Sequence, residues 1–529
     1  MTYSVCTVKI MSVPLNHLFP FAPVTVLFLA PADSDLQTFL VQAHALIESS
    51  PGLLTAVEAD LDTHGLRKKT LRIKNAQWQA ERSAQFPSMP PPIETDPLEL
   101  EQGRPRTPAY VVLIALLLRG YWGDGFKNRD VTTVMLESKT LEVFFSNLAL
   151  KMPGRSTLTE LVNAVSNETR SKVLDAQLAL AQKLELDDFA KMLMDSTHVE
   201  GNTSWPTDSR IIAALTARLL RVGQALAEIH LPALQSRQVE RDVIEIAELD
   251  RDIDLSHGKK HSKPHRRHLY KRLLKRARRV RKLVTAHAKP LNEMVAVLDI
   301  LPTRKALAVR AVERLHADLA SLAKAIAACE ARVLREKTVP MNEKVLSTSD
   351  PDAGFISKGQ REPVIGYKPQ IARSGAGFIT GLLLPQGNAA DAKQLVPMFE
   401  QVVRRTGVIP SMVSIDDGYA SGENVAKLKE RVAGPLSING SKGRALTDDA
   451  DWNSDEYADA RNLRSAIESM MFTLKHGFDF GEVARRGLPA VHAELLEKAL
   501  AYNLWRMARL RRAARPGAVG TGRPLSSAA

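Results

Sequence analysis

The sequence predicts an α/β core interrupted by a long all-α insertion and preceded by a helical N-terminal domain. Three observations predict it. Apolar runs of strand length, "KMLMD", "VIGYKPQIARS", "GFITGLLLP" and "SMVSIDDGY", alternate in their later part with helix-period segments, "AADAKQLVPMFEQVVRRTG" and "SGENVAKLKERV". From Ser209 to about Arg335, between the first strand and the others, the apolar spacing is helical with charged faces and has no sustained heptad. From "GRPRTPAYVVLIALLLRGYWGDGF" to "LDAQLALAQKLEL" it is again mostly helical, punctuated at "GDG" and "MPGRST".

A chain of 529 residues is too long for one hydrophobic core. Residues 1–102 read as a variable N-terminal region that ends in the extended, proline-rich "FPSMPPPIETDP". Residues 103–185 read as a helical domain and 186–208 as the first part of the core, with Asp208 or Ser209 as N-cap of the helix that follows. Residues 209–345 are the insertion, 346–480 the second part of the core, and 481–529 a C-terminal helix running into a disordered basic tail, "PGAVGTGRPLSSAA".

Cys6 and Cys329 give neither a disulfide framework nor a thiolate metal site, which fits a reducing cytosol. No apolar run approaches the ~20 residues that span a bilayer, and prolines break the greasy "LFPFAPVTVLFLA", so no membrane partner is expected and the chain is placed in the cytoplasm. The net charge is +13, and the segment Lys259–Lys282 alone holds 13 Lys or Arg and no Asp or Glu. A polyanion, most simply nucleic acid, is the natural partner, against the blander reading of a solvated charge run.

Three acids stand where packing alone would not put them. Asp195 closes "KMLMD", Asp416 closes "SMVSID", and Glu468 lies inside "ARNLRSAIESMMFTLKHG". Acids at strand ends often only cap a turn, but in open α/β sheets reactive groups also gather at the carboxyl ends of strands. On the helix, Arg464, Glu468 and Lys475 fall within about 40° of one another beside the apolar stripe Leu463, Ile467, Met470, Met471 and Leu474, an arrangement an ordinary i,i+4 pair also explains. Three carboxylates brought together repel unless a cation neutralises them. Mg²⁺ does so while leaving room for water and phosphate, and two such ions about 4 Å apart suit in-line displacement at phosphorus.

At these residues the chain resembles insertion-sequence transposases of the DDE type, near the fourth and fifth insertion-sequence families and their unclassified relatives. "DSTHVEGNTSWPTDS" is similar to the first family motif, "DDGY" to the second, D-x-G-Y, and Arg464, Glu468 and Lys475 to the third, R-xxx-E-xxxxxx-K. A tyrosine that some relatives carry three residues before that arginine is Arg461 here. The similarity runs from about Gly103 to Arg506.

The resemblance implies a ribonuclease H-like mixed-sheet catalytic domain, with residues 103–185 binding DNA ends. It implies hydrolysis at transposon ends and transfer of the freed 3′-hydroxyl into target DNA. Asp195 would bridge two Mg²⁺ ions, with Mn²⁺ as a substitute, and Asp416 and Glu468 would complete one site each. Arg464 and Lys475 would contact DNA phosphates, and a homodimer would handle the two ends together.

The insertion's "HGKKHSKPHRRHLYKRLLKRARRVRKLV" reads in two parts: Gly258 and Pro264 keep the first from being regular helix, and Tyr270 to Val284 suits a helix basic almost all round. Lys271, Arg272, Lys275, Arg276 and Arg279 are the candidate backbone-binding cations there. A metal site of His257, His261, His265 and His268 is disfavoured by the cations around it. "GSKGRA" lacks P-loop spacing, and Ser196 with His198 makes no triad. The rivals to a transposase are a catalytically inactive DNA-binding derivative and a ribonuclease H-like nuclease that cuts without joining.

Overall fold

The structure, a computed structural model, describes residues 12–14, 25–27, 34–85, 106–122, 128–229, 237–257, 262–357 and 362–514. The proline-rich segment, the basic tail, Cys6 and His261 lie outside the described residues. The chain divides into two compact units, one of residues 1–64, 105–202 and 356–529, the other of residues 65–104 and 203–355.

The first unit is built on a five-stranded mixed sheet. Its strands are β1 (Lys191–Ser196), β2 (Gln370–Ser374), β3 (Ile379–Leu383), β4 (Met412–Asp416) and β5 (Leu436–Asn439), in spatial order β5-β4-β1-β2-β3. β4 runs parallel to β1 and β5, whereas β2 is antiparallel to both β1 and β3. Side chains alternate across a strand, so Met192 and Met194 face one side and Leu193 and Asp195 the other. Met192, Met194, Val413 and Ile415 pack on Leu395, Met398, Phe399 and Val402 of the helix Leu395–Thr406. The α/β class expected from the alternation is present. β5 was missed because four residues, "LSIN", carry too little periodicity to stand out.

Two long helices tie the sheet to the helical segments. Helix α1 (Ala109–Trp122) is buried along nearly its whole length and packs against α2 (Leu488–Ala513), whose Asn503 side-chain amide hydrogen-bonds both N–H and C=O of Ile379 on β3. Where α1 and α2 cross, a Cβ on Gly120 would stand 2.0 Å from the Glu497 carbonyl oxygen, so only glycine permits the approach. Beside this crossing Arg119, Arg170 and Arg485 converge on the buried Glu497 carboxylate. Burial alone would raise the Glu497 pKa, but the three guanidiniums together hold it well below the usual carboxylate range. Burial also brings the Arg119 guanidinium down to about 10. Further helices at Ser34–Ser49 and Gly52–Gln85 lie in the first ninety residues, where no clear periodicity is legible; Phe39, Leu40, Ala43 and Leu46 are buried.

The second unit is mainly α3 (Asp208–Ala227), α4 (Arg237–Leu255), α5 (Ser262–Ala288) and α6 (Pro302–Cys329), packed around one apolar core. Three local expectations are corrected here. Thr207, not Asp208 or Ser209, caps α3, accepting from the Arg210 N–H at 3.3 Å. Pro264 falls in the first turn of α5, where its missing N–H costs nothing, so the helix already begins at Ser262. And α5 is not basic all round: Leu269, Leu273, Ala277, Val280 and Val284 form a buried stripe at i, i+4, i+8, i+11 and i+15.

Candidate active site

β1 and β4 are in parallel register, Met194 opposite Ile415, which sets Asp195 and Asp416 side by side at the carboxyl ends of adjacent strands. Each aspartate is oriented by the backbone that follows it. Asp195 Oδ1 accepts from the Ser196 N–H at 2.7 Å and Asp416 Oδ1 from the Asp417 N–H at 2.8 Å. The other oxygen of each turns toward helix α7 (Arg464–Gly477), which packs against β1 and buries Ile467, Met470 and Leu474.

Arg464 on α7 draws the three acids together. Its Nη2 lies 3.2 Å from Asp416 Oδ2 and 3.7 Å from Asp195 Oδ2, and its Nη1 donates to Glu468 Oε1 at 2.7 Å. The two aspartate oxygens are therefore no more than about 7 Å apart, a distance at which two uncompensated carboxylates repel appreciably even at a protein surface. Exposure grades across the site, 10% for the Asp195 side chain, 35% for Asp416 and 59% for Glu468, so it opens to solvent on the Glu468 side. Among the described residues no three His, Cys, Asp or Glu side chains converge closely enough to hold one ion as they stand. Between these three, the guanidinium already supplies the positive charge.

The second aspartate of "DDGY" points elsewhere. Asp417 Oδ1 accepts from the Gly443 N–H at 2.8 Å, and a Cβ on Gly440, at φ +132°, would fall 2.4 Å from the Asp417 carboxyl carbon. Tyr419 is buried and donates its hydroxyl to Gln370. Burial, with Asp391, Asp195 and Asp416 nearby, pushes its pKa far up, so it remains a donor. Gln370 in turn donates to Asp391 at 2.7 Å, and Lys368 pairs with the same carboxylate at 2.8 Å. Gln370, Asp391 and Lys368 were missed by sequence reasoning: Lys368 and Gln370 sit inside a strand-like run, Asp391 stands in the turn before the helix Leu395–Thr406, and nothing local links them.

The remaining sequence candidates are dispersed. Lys475 is in the last turn of α7, about 10 Å along the axis from Glu468. On α5, Arg272 and Arg276 pair with Glu245 at 3.3 and 2.8 Å, and Arg279 Nε donates to the buried Asp242 at 2.5 Å. Lys271 and Lys275 are exposed, with Arg281 and Lys282, and have no ion-pair partner among the described residues. His257 Nδ1 lies 2.9 Å from the Arg266 guanidinium.

Residues 337–504 match the family of the transposase DDE domain. The transposase for insertion sequence element IS1106 of Neisseria meningitidis serogroup B is 25% identical over 219 residues, 41% of this chain and 73% of that protein. Over this part the chain is similar to DDE-type insertion-sequence transposases. No solved structure matches. The matched transposase domain contains Asp416, Arg464, Glu468 and Lys475 but begins after Asp195, which reaches the site only through the pairing of β1 with β4. No described helix is long and apolar enough to cross a membrane.

Proposed function

We propose that this chain is a transposase that hydrolyses DNA at the ends of its element and transfers the freed 3′-hydroxyl to a target phosphodiester. The observation that carries the reading is the single guanidinium of Arg464 shared by Asp195, Asp416 and Glu468, three acids gathered around one positive charge at the carboxyl edge of a parallel strand pair. The mixed sheet, with both aspartates on adjacent strands, supports assigning the core to the ribonuclease H-like class. The all-α segment between β1 and β2 reads as a DNA-holding insertion, and residues 103–185 as the part that binds the element's ends.

The donor set fits hard divalent cations: carboxylate oxygens that already converge on a cation, two of them on side chains oriented by backbone N–H groups. Asp195, Asp416 and Glu468 would hold the ions, Mg²⁺ with Mn²⁺ as a substitute, and two bound ions would supply positive charge at the reacting phosphoryl oxygens. Arg464, once released from the carboxylates, would be free to contact a DNA phosphate at the same mouth. The Gln370–Tyr419 hydrogen bond anchors the turn after Asp416 to β2 and so fixes the angle of that aspartate. Lys271 and Lys275 would neutralise backbone phosphates without reading bases. We further assign the acting form as a homodimer on DNA in the bacterial cytosol.

The test is incubation of purified protein with its own terminal DNA and Mg²⁺, comparing wild type with Asp195→Asn. Cleavage and joining by wild type alone, with binding retained in both, is the expected result. Binding without cleavage in either would leave a non-catalytic DNA-binding protein, and cutting with no joined product a nuclease.

A further inference from the structure

The second unit holds a cleft that the carboxylate site does not account for. Its volume is about 730 Å³, and it lies among the Trp205–Asp208 turn, the first turns of α5 and the chain from Arg332 to Lys344. Six cations line it, Lys263, Arg266, Arg267, Arg332, Lys337 and Lys344, against two acids, Asp208 and Glu336. Arg332 spends part of its charge on Asp208 at 3.1 Å, and Lys263 on Glu336 at 3.2 Å. The remaining positive charge is uncompensated. Lys344 feels it, since burial and the neighbouring Arg332 both hold its ammonium below the ordinary lysine value. Cations set against one another in a concave, partly dehydrated wall are stabilised by an anion placed between them.

The same cleft presents an aromatic face. Trp205 is 53% exposed although its ring meets Phe355 edge-on at 6.4 Å. It is also held in place. Thr207, two residues on, caps α3, and the Thr203 hydroxyl, two residues before, donates to Ser347 at 2.6 Å. A large, rigid, open π-face beside a cluster of cations is the combination that recognises an unstacked base together with its phosphate. A base inside a duplex cannot offer its face to Trp205, and the volume lies within the range of ordinary ligand clefts.

We propose that this cleft binds an unpaired nucleotide of a DNA strand, its base stacked on Trp205 and its phosphate held by Arg332 and Lys344. The proposal rests on the reading of DNA as partner but not on the carboxylate chemistry.

The test is fluorescence anisotropy of a labelled ten-nucleotide single strand and of the duplex of the same sequence, titrated with the full-length protein. Trp205→Ala is expected to weaken single-strand binding roughly 5- to 150-fold while leaving duplex binding within about twofold. Trp205→Phe keeps an aromatic face and is expected to retain most of the affinity, which also separates loss of stacking from loss of fold. Lys344→Gln is expected to weaken the single strand and to lower the salt slope by about one contact or less. Equal weakening of single strand and duplex, unchanged binding by Trp205→Ala, or equal loss in the Ala and Phe variants would each overturn the proposal. Cleavage of terminal DNA is measured in parallel. Trp205-dependent binding without cleavage removes the transposase reading and keeps the cleft, and cleavage with Trp205-independent binding does the reverse.

Discussion

Replacing Arg464 by Gln removes the guanidinium that Asp195, Asp416 and Glu468 share while preserving helix propensity and most of the side-chain length. With the two aspartate oxygens within about 7 Å, each like-charge pair costs roughly 2 kcal/mol at an effective dielectric of about 20, less where solvent reaches Asp416 and Glu468. In the wild type an entering divalent ion must displace the guanidinium before it gains those carboxylates. In Arg464→Gln it meets them without a competitor. The difference of about 1.5 to 2 kcal/mol corresponds to roughly 10- to 30-fold tighter Mn²⁺ or Mg²⁺ binding in the variant. Isothermal titration calorimetry with each ion measures it, with Asp195→Asn in the same background as the control that abolishes the gain. Strand transfer by the variant is expected to fall even as metal binding tightens, because the displaced guanidinium is then missing at the phosphate. Metal binding by Arg464→Gln that equals or falls below wild type would refute the reasoning, since it would mean that the guanidinium does not occupy the ions' place.

The other predictions concern the scaffold and the basic face of α5 proposed to meet DNA. Glu497→Ala leaves Arg119, Arg170 and Arg485 around an empty acceptor and is expected to cost about 3–5 kcal/mol, read from the urea midpoint. Because the folded state holds the Glu497 carboxylate below its usual range, its contribution is complete above the unfolded value of about 4.3 and is lost as the pH falls below it, so the midpoint difference between wild type and Glu497→Gln should shrink under acid. Gly120→Ala drives a Cβ into the Glu497 carbonyl and should destabilise by about 1–3 kcal/mol on the same urea scale. Lys271→Gln with Lys275→Gln should reduce the salt slope of duplex binding by about one per lysine without moving the unfolding midpoint, whereas Arg279→Gln strips the buried Asp242 of a partner and should lower the midpoint.

Much of this was legible because the signals are local. The strand ending in Asp195, the strand ending in Asp416 and the amphipathic helix around Glu468 each announce themselves within about fifteen residues, and spacing alone put Arg464 one turn before Glu468. Three things were not legible. The pairing of β1 with β4 joins residues more than two hundred positions apart, and nothing in either segment names its partner. The division of the basic helix into a buried stripe and a charged face was obscured by the eleven lysines and arginines among its 27 residues, and three of its seven arginines turn out to answer acids on α4. Glu497 and its three arginines come from three separate stretches, around Arg119, around Arg170 and from Arg485 to Glu497, so the cluster exists only once the helices pack.

The insertion between the first two acids poses a folding problem whose answer lies at its stem. Closing a long loop costs entropy that grows only logarithmically, about 0.6 kcal/mol per doubling of length, so the length of the insertion matters less than whether its two ends are fastened. They are fastened immediately after Asp195. Val199 and Glu200 pair antiparallel with Tyr367 and Gly366, the Thr197 N–H donates to the Pro369 carbonyl at 3.1 Å, and the Gly201 N–H to the Ile365 carbonyl at 2.9 Å. A Cβ on Gly366 would stand 2.0 Å from the Val199 carbonyl oxygen, so the ladder closes tightly only because glycine is there. β1 leads into this ladder and β2 leaves it, and β1 is the strand that carries Asp195 between β2 and β4. Widening the stem, as Gly366→Val must, therefore tilts β1 against β4 and moves Asp195 away from Asp416, so that the variant should lose cleavage and metal affinity together even with the three acids and Arg464 intact.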